Sequence, residues 1–322
     1  MTEFGYTLLC EQSGPKQLVT DAVAAERAGF DFAVISDHYF PWVDAMGHSP
    51  YAWSVLGAAA HATERIRFMT YVTCPIKRYH PVVVAQKAAT VALLSDDRFT
   101  LGLGAGENLN EHVVGGGWPP VNIRHEMLAE AVDIIRSLWS GGYVNFRGRH
   151  FQVDSAKVWD LPETAPPLGI AVSGEQSCEL AGAKADVMIA VEPDRTLIEG
   201  FEQAGGASKP RVGQVPVSSH PDREKAIARA RELFGGVGGG WKVNSELPGT
   251  AAFEAASQFV RPEDVAKAIP CGNRVEDFVA AVGAFTKAGF THVALCQVGP
   301  ERQADFIGWA ERELLPALRD AA

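Results

Sequence analysis

Residues 16–37 read KQLVTDAVAAERAGFDFAVISD. Lys16–Ala28 has the spacing of an amphipathic helix, and Gly29 stands just past its end as ordinary helix punctuation. Phe32–Asp37 is then a short apolar run that finishes on polar groups. Outward from this unit the same alternation continues along the chain. The strand candidates are Gly5–Cys10, Phe32–Asp37, Arg67–Thr73, Phe99–Gly104, Leu168–Ser173, Asp186–Val191, Val212–Ser218 and Thr291–Gln297, eight in all. They are continuous apolar stretches, the pattern of strands covered by helices on the outside and packed on the inside. Between them lie further helical patterns at Pro81–Leu94, Arg124–Trp139, Glu224–Phe234 and Val275–Ala288, with Pro81 at a first turn and Gly289 past a helix end.

Eight β/α repeats imply an α/β protein with a parallel sheet. Closure into a (β/α)8 TIM barrel is the commonest way to satisfy eight strands, and an open doubly wound sheet is the competing arrangement. No tandem repeat, low-complexity tract or linker divides the sequence, so residues 1–322 are expected to form one barrel domain with insertions. Three insertions are expected. Asn108–Asn122 reads as a long loop directly after strand four, hence at the C-terminal, catalytic face. Gly142–Val158 reads as a β-hairpin with Gly148 at its turn, and the glycine-rich Gly235–Val260 is an excursion whose face the sequence leaves open.

Hydrophobic residues make up 47% and charged residues 21%, enough for a sizeable core. A net charge of -10 argues against nucleic acid and against anionic membranes as partners. The opening Met1-Thr2-Glu3-Phe4 lacks a basic region ahead of an apolar one, and apolar runs are short, so neither a signal peptide nor a membrane span is expected and the cytoplasm is the expected compartment. The five cysteines are widely spaced with no CxxC pair, which reads as buried free thiols.

Chemistry-bearing residues gather at strand ends. Ser36-Asp37-His38-Tyr39-Phe40-Pro41-Trp42 follows the second strand, where a carboxylate and an imidazole meet the catalytic face. His38 has the ordinary pKa range of a general base, and Trp42 could wall a planar ring; the bland alternative is Asp37 as a helix cap and His38 as a satisfied loop residue. Gly102–Asn110, with Glu107, follows the fourth strand and reads as opening a polar loop, so it is no dinucleotide fingerprint. Ser173-Gly174-Glu175-Gln176-Ser177 follows the fifth strand and leads into a helix expected from Cys178, whose N-terminus would suit a phosphate or be an ordinary turn. Glu11 adds a carboxylate past strand one, yet Glu11, Asp37, His38 and Glu107 match no familiar ligand spacing, and no metal is expected.

Taken together these residues resemble the luciferase-like monooxygenase superfamily, and within it the coenzyme F420-dependent branch. The resemblance runs from about Tyr6 to Leu318 on Ala24-Ala25-Glu26, Ser36-Asp37-His38, Pro41-Trp42, Arg78-Tyr79-His80-Pro81, Gly104–Glu111 and Leu138-Trp139-Ser140-Gly141. It implies a deazaflavin cofactor at the C-terminal ends of the strands, held by Asp37, the backbone at Tyr71-Val72, Gly106, Asn110 and Ser173–Ser177, with a non-prolyl cis peptide at Tyr71-Val72. It implies hydride transfer at C5 of that ring, with His38 as base, Glu107 as acid toward a ring nitrogen, Trp42 steadying the transition state, and Glu11 orienting His38 or the substrate. A homodimer and a small-molecule substrate are also implied. The family's sugar-phosphate members clamp the phosphate with lysine and arginine. Here Val191–Pro193, Ala255 and Ala268 fall in those neighbourhoods and carry no cation, although Lys242, Arg261 and Lys267 are near in sequence. Each missing charge-assisted bond is worth about 1.5–3 kcal/mol. Glucose 6-phosphate is therefore disfavoured against an uncharged or hydrophobic alcohol, sugar or hydroxylated lipid. The competing functions are an FMN-dependent monooxygenase of the same superfamily and a non-catalytic cofactor-binding barrel.

Overall fold

The structure is a computed structural model that describes residues 2–321. Met1 and Ala322, which begin the expected signal-free N-terminus and bound the expected domain, lie outside the described residues, as does the Val237 side chain. The eight expected strands form, as β1 (Glu3–Leu8), β2 (Phe32–Ile35), β3 (Arg67–Thr70), β4 (Phe99–Leu103), β5 (Leu168–Ala171), β6 (Val187–Ala190), β7 (Arg211–Ser219) and β8 (His292–Gln297). All neighbours are parallel, from Gly5↔Phe32 between β1 and β2 round to Ile189↔Val212 between β6 and β7 and Glu3↔His292 between β1 and β8. The sheet therefore closes into a (β/α)8 barrel, and the open-sheet alternative is set aside. Six strands, β1 to β6, stop one to three residues before the sequence pattern suggests. β2 ends at Ile35 and β3 at Thr70, because Ser36, Asp37 and Thr73 leave the strand to make side-chain hydrogen bonds.

Alternation is hidden in the apolar runs and becomes plain in the packing. Phe32 and Val34 face inward with Met69, Val187, Ile189, Val212 and Ala294, whereas Ala33, Ile35 and Met188 pack outward against the helices. The helix Pro15–Ala28 ends where Gly29 takes a φ of 88° and its N–H caps the Ala25 and Glu26 carbonyls. Pro81–Leu94 and Val275–Ala288 match expectation residue for residue, while the fourth barrel helix begins at Val121, ahead of Arg124. All five cysteines are buried and free, and among the described residues no helix is long and apolar enough to cross a membrane.

The insertions differ from expectation in instructive ways. After Glu107 the chain forms a short helix, Asn108–Glu111, and a 3-10 turn, His112–Val114, before irregular backbone at Gly115–Pro120; it does not open a plain loop. The hairpin pairs Val144–Arg147 with Gln152–Ala156, its turn closed by the Gly148 N–H donating to the Phe151 carbonyl at 2.9 Å. It joins the end of a helix to the start of β5, so it belongs to the N-terminal end of the barrel, away from the catalytic face. The segment from Arg223 to Gly272 is one long excursion after β7. It carries the helices Arg223–Phe234, Trp241–Asn244, Thr250–Ser257 and Pro262–Ala268 and returns to pair Cys271 with Ser218. Its place at the catalytic face is fixed by the Asn108 N–H, just past β4, donating to the Ser245 carbonyl at 2.9 Å.

Closeness of β3 and β4 inside the barrel demands glycine at position 102. A Cβ there would lie 2.0 Å from the Thr70 carbonyl oxygen and 2.9 Å from Ile189, and Thr70 Oγ1 also bonds both the N–H and the carbonyl of Gly102. Gly102→Ala is expected to cost about 1–3 kcal/mol, the range for overpacked cores. A urea midpoint that falls at unchanged slope would show it, and an unmoved midpoint would refute the close-contact argument.

Candidate active site

The site grows from the residues just past β1, β2 and β4. Asp37 is buried, and its carboxylate is surrounded by donors from three segments. Oδ2 accepts from Trp53 Nε1 at 3.0 Å and from Thr73 Oγ1 at 2.7 Å; Oδ1 accepts from the Tyr79 hydroxyl at 3.1 Å and from Arg78 Nη2 at 3.2 Å. The same Arg78 nitrogen also donates to the Asp37 carbonyl at 2.6 Å. Beyond Arg78 lies the buried Glu111, which accepts the Arg78 backbone N–H at 2.8 Å; burial pushes its carboxyl pKa up. Asp37 is thus no helix cap. Its carboxylate is fully occupied by the protein, and it acts as the hub that fixes the β2 end.

Lys87 completes this layer. Its Nζ lies 3.1 Å from the Tyr79 ring centroid and 4.3 Å from that of Trp53, with no hydrogen-bond partner among the described residues. Burial pushes the amine pKa down to about 7.

His38, the next residue after the hub, is held between two carboxylates. Nδ1 lies 3.0 Å from Glu11 Oε1 and 3.2 Å from the Phe40 carbonyl, and Nε2 lies 3.3 Å from Glu107 Oε1. Glu11 is itself anchored, since Ser36 Oγ donates to its other oxygen while accepting the Cys10 N–H at 2.9 Å. Burial alone would push His38 down, but the paired charges of Glu11 and Glu107 outweigh it and lift the imidazole to about 9. The two carboxylates therefore favour the protonated ring and move its titration above the ordinary histidine range. Glu107 Oε2 is buried and unpartnered, leaving one carboxylate oxygen free to meet a ligand. Trp42 stands edge-on to His38 at 5.6 Å between centroids and edge-on to Phe234 at 5.2 Å.

Around this group lie the residues expected to hold a ring system. The peptide between Tyr71 and Val72 is cis, and the Tyr71 hydroxyl donates to the Ala190 carbonyl at 2.7 Å. Gly106 has a φ of 82°, and a Cβ there would strike Cys74 Sγ at 2.4 Å, so glycine is demanded both by the backbone conformation and by close packing on Cys74. Asn110 spends its side-chain oxygen on the N–H groups of Tyr39 at 2.8 Å and Phe40 at 3.2 Å, leaving its amide NH2 for any ligand. In the Ser173–Ser177 turn the N–H groups of Ser173 and Gly174 both donate to Ser177 Oγ, at 3.0 and 3.1 Å. The helix starts at Glu175 rather than Cys178, and the Glu175 and Gln176 side chains are exposed.

The neighbourhoods of the absent phosphate clamp separate. Val191–Pro193 and Ala268 line one open cavity of about 650 Å³ together with Arg223 and Lys267, balanced by Glu192 and Asp277. Ala255 is exposed on the helix Thr250–Ser257, and Arg261 is paired with Asp264 at 2.8 Å. Sequence reasoning missed Trp53, Thr73 and Lys87, and gave Ser36 no role of its own. Arg78, Tyr79 and Glu111 stood inside recognised motifs without a role, and nothing local marks Trp53 as a partner of Asp37.

A family model for luciferase-like monooxygenases matches residues 2–302. The F420-dependent glucose-6-phosphate dehydrogenase of Tsukamurella paurometabola is 34% identical over 98% of this chain and 98% of its own. The F420-dependent hydroxymycolic acid dehydrogenase of Mycobacterium tuberculosis is 41% identical over 71% of this chain and 66% of its own. Among solved structures, an F420-dependent secondary alcohol dehydrogenase in complex with an F420-acetone adduct superposes with a TM-score of 0.91 at 29% identity, covering 99% of each chain.

Removing Arg78 would leave two buried carboxylates without their cation, a class of change that costs about 3–5 kcal/mol. Arg78→Met is accordingly expected to lower the unfolding free energy by that amount in urea titration, and a loss below about 1 kcal/mol would show that Asp37 and Glu111 do not depend on it.

Proposed function

The chain belongs to the luciferase-like monooxygenase family, and we propose that it is a coenzyme F420-dependent oxidoreductase moving a hydride between a substrate alcohol carbon and C5 of the deazaflavin. His38 fixed between Glu11 and Glu107 at the strand ends carries this function, because alcohol oxidation needs a proton acceptor beside the carbon that gives up hydride. The residues present fit such a cofactor. The Asn110 amide NH2 is unspent, and the buried, unpartnered Glu107 Oε2 offers a proton-exchanging oxygen. The ring would rest on the Tyr71-Val72 backbone and Gly106 near the Asn110 amide, with its phosphate-bearing tail at Ser173–Ser177, and Asp37 would shape the wall rather than touch the ring through its carboxylate. When bound, the deazaflavin supplies a two-electron hydride acceptor that reacts poorly with oxygen.

The protein's own part is proton traffic and exclusion of water. Glu11 holds Nδ1, which leaves Nε2 to accept the hydroxyl proton of the substrate. Glu107, 3.3 Å from Nε2, would take that proton over from the imidazolium and pass it to the ring nitrogen, so the hydroxyl proton ends on the reduced ring. Trp42, braced by Phe234, closes one side of the site. A small-molecule substrate, a single barrel domain, a cytoplasmic location and a homodimer belong to the same proposal and are supported by the family resemblance.

Binding of oxidised F420, followed by quenching of its fluorescence, is expected to be tighter than binding of FMN under identical conditions; preference for FMN would overturn the cofactor assignment. With F420 bound, His38→Ala is expected to lower turnover about 10²- to 10⁴-fold while leaving cofactor affinity near that of the parent. Unchanged turnover would remove His38 from the chemistry.

The raised His38 pKa sets a sign for pH dependence. Alcohol oxidation needs the neutral imidazole, so kcat/KM should climb with pH and level off above about 9. Carbonyl reduction uses the imidazolium, so it should be flat at neutral pH and fall as pH rises through about 9. Profiles that instead break near the ordinary histidine value in both directions would be inconsistent with the double-carboxylate environment.

A further inference from the structure

Two of the side chains beside His38, Trp42 and Glu107, also form the wall of a second, smaller space. A cavity of about 40 Å³ lies between Trp42 and Glu107 on one side and Leu233, Phe234, Phe253 and Trp241 on the other. The barrel top supplies the first pair, and the long excursion after β7 supplies the rest. Among its described lining residues there is no lysine or arginine, and the one charged group is Glu107. An anion entering here would meet a carboxylate and aromatic faces, and the nearby cation, His38, is already shared between Glu11 and Glu107; with Asn244 and Ser257 the other polar lining groups, the space favours uncharged, largely apolar groups.

Its size is equally selective. On the scale where a cavity of about 150 Å³ takes a six-carbon ring, this one takes about one to two carbon atoms. The walls have little room to yield. Leu233, Phe234 and Phe253 are 7%, 4% and 3% exposed and belong to one apolar cluster with Val43, Met46 and Leu109. Trp42 is wedged between His38 and Phe234, and Ser257 Oγ ties the Phe253 carbonyl at 2.7 Å.

Resting on the F420-dependent alcohol oxidation proposed above, we infer that this pocket receives the shorter branch of a secondary alcohol, a methyl or ethyl group. The hydroxyl then faces His38 and the longer branch leaves toward the open mouth. The enzyme is thereby specific for methyl and ethyl carbinols, against both phosphorylated sugars and alcohols with two long branches. Leu233, Phe234 and Phe253 set the limit on the short branch.

Isomeric heptanols test this at constant composition. With F420 as acceptor, kcat/KM for 2-heptanol is expected to exceed that for 4-heptanol about tenfold or more, the usual range for methylenes that a pocket cannot hold. Glucose 6-phosphate should give no turnover above background. Phe253→Ala should bring the two heptanols to within about threefold of each other. Gly236→Ala, whose added methyl would lie 3.4 Å from Phe253, should penalise 3-heptanol against 2-heptanol. Should Phe253→Ala fail to fold, the Gly236 variant decides alone. Equal rates for 2- and 4-heptanol, or branch preferences unmoved in folded variants that keep parental F420 affinity, overturn the pocket assignment while leaving alcohol oxidation intact. Efficient oxidation of glucose 6-phosphate overturns it too. A protein that binds F420 but oxidises none of the heptanols overturns the alcohol chemistry and, with it, the occupant of the pocket.

Discussion

A carboxylate taken out of water must be surrounded by donors, and Asp37 imposes that demand on the whole catalytic end of the barrel. Trp53 comes from the helix after β2, Thr73 from the segment past β3, and Arg78 and Tyr79 from the loop that precedes the helix at Pro81. These elements are distant in sequence and are brought into register by one side chain. Arg78 then extends the constraint to Glu111 in the short helix after β4. His38 follows Asp37 directly, so its ring is presented by a peptide that has little freedom to move. The functional group is mobile chemistry mounted on a fixed mount.

Charge distribution around that mount divides the labour. The Asp37 layer carries its own cation, Arg78, and an amine at Lys87 that burial brings near neutrality. Above it, His38 is the sole cationic partner that Glu11 and Glu107 meet in the ion pairs among the described residues, which is why the imidazole holds its proton so firmly. At neutral pH such a site is short of the free base that alcohol oxidation needs and already carries the proton that carbonyl reduction uses. Direction of turnover is then coupled to pH through one residue. The apolar counterpart is the cluster built by the excursion after β7, which places Phe234 against Trp42 and keeps water from one side of the same histidine.

Much of the frame is legible from sequence because parallel strands sheathed in helices need continuous apolar runs with helical patterns between them. All eight strand positions, and the glycine stops at Gly29 and Gly289, follow from that local logic. Placement of Asp37, His38 and Glu107 at one end follows as well, since every strand of such a barrel points the same way. The short helix after Glu107 escaped notice because four residues, Asn108–Glu111, are too few to show a period. The role of the excursion after β7 escaped because, past its expected first helix, the glycine-rich run Gly235–Gly240 is followed by helices of only four to eight residues, too short to show a period.

What the sequence by itself determined is therefore the periodic part: the barrel, its polarity, and the set of acids, imidazole and indole at its mouth. What only the tertiary structure decided is how those groups face one another. That Glu11 and Glu107 take opposite nitrogens of His38, that Asp37 is sealed by four donor side chains, and that Phe253 and Leu233 narrow a pocket beside Trp42 are contacts between residues far apart along the chain. Periodicity reports on burial against a neighbouring element, whereas a proton's affinity and a cavity's width depend on angstrom-scale distances across elements. Those distances exist only once the sheet has closed and the excursion has folded back over its end.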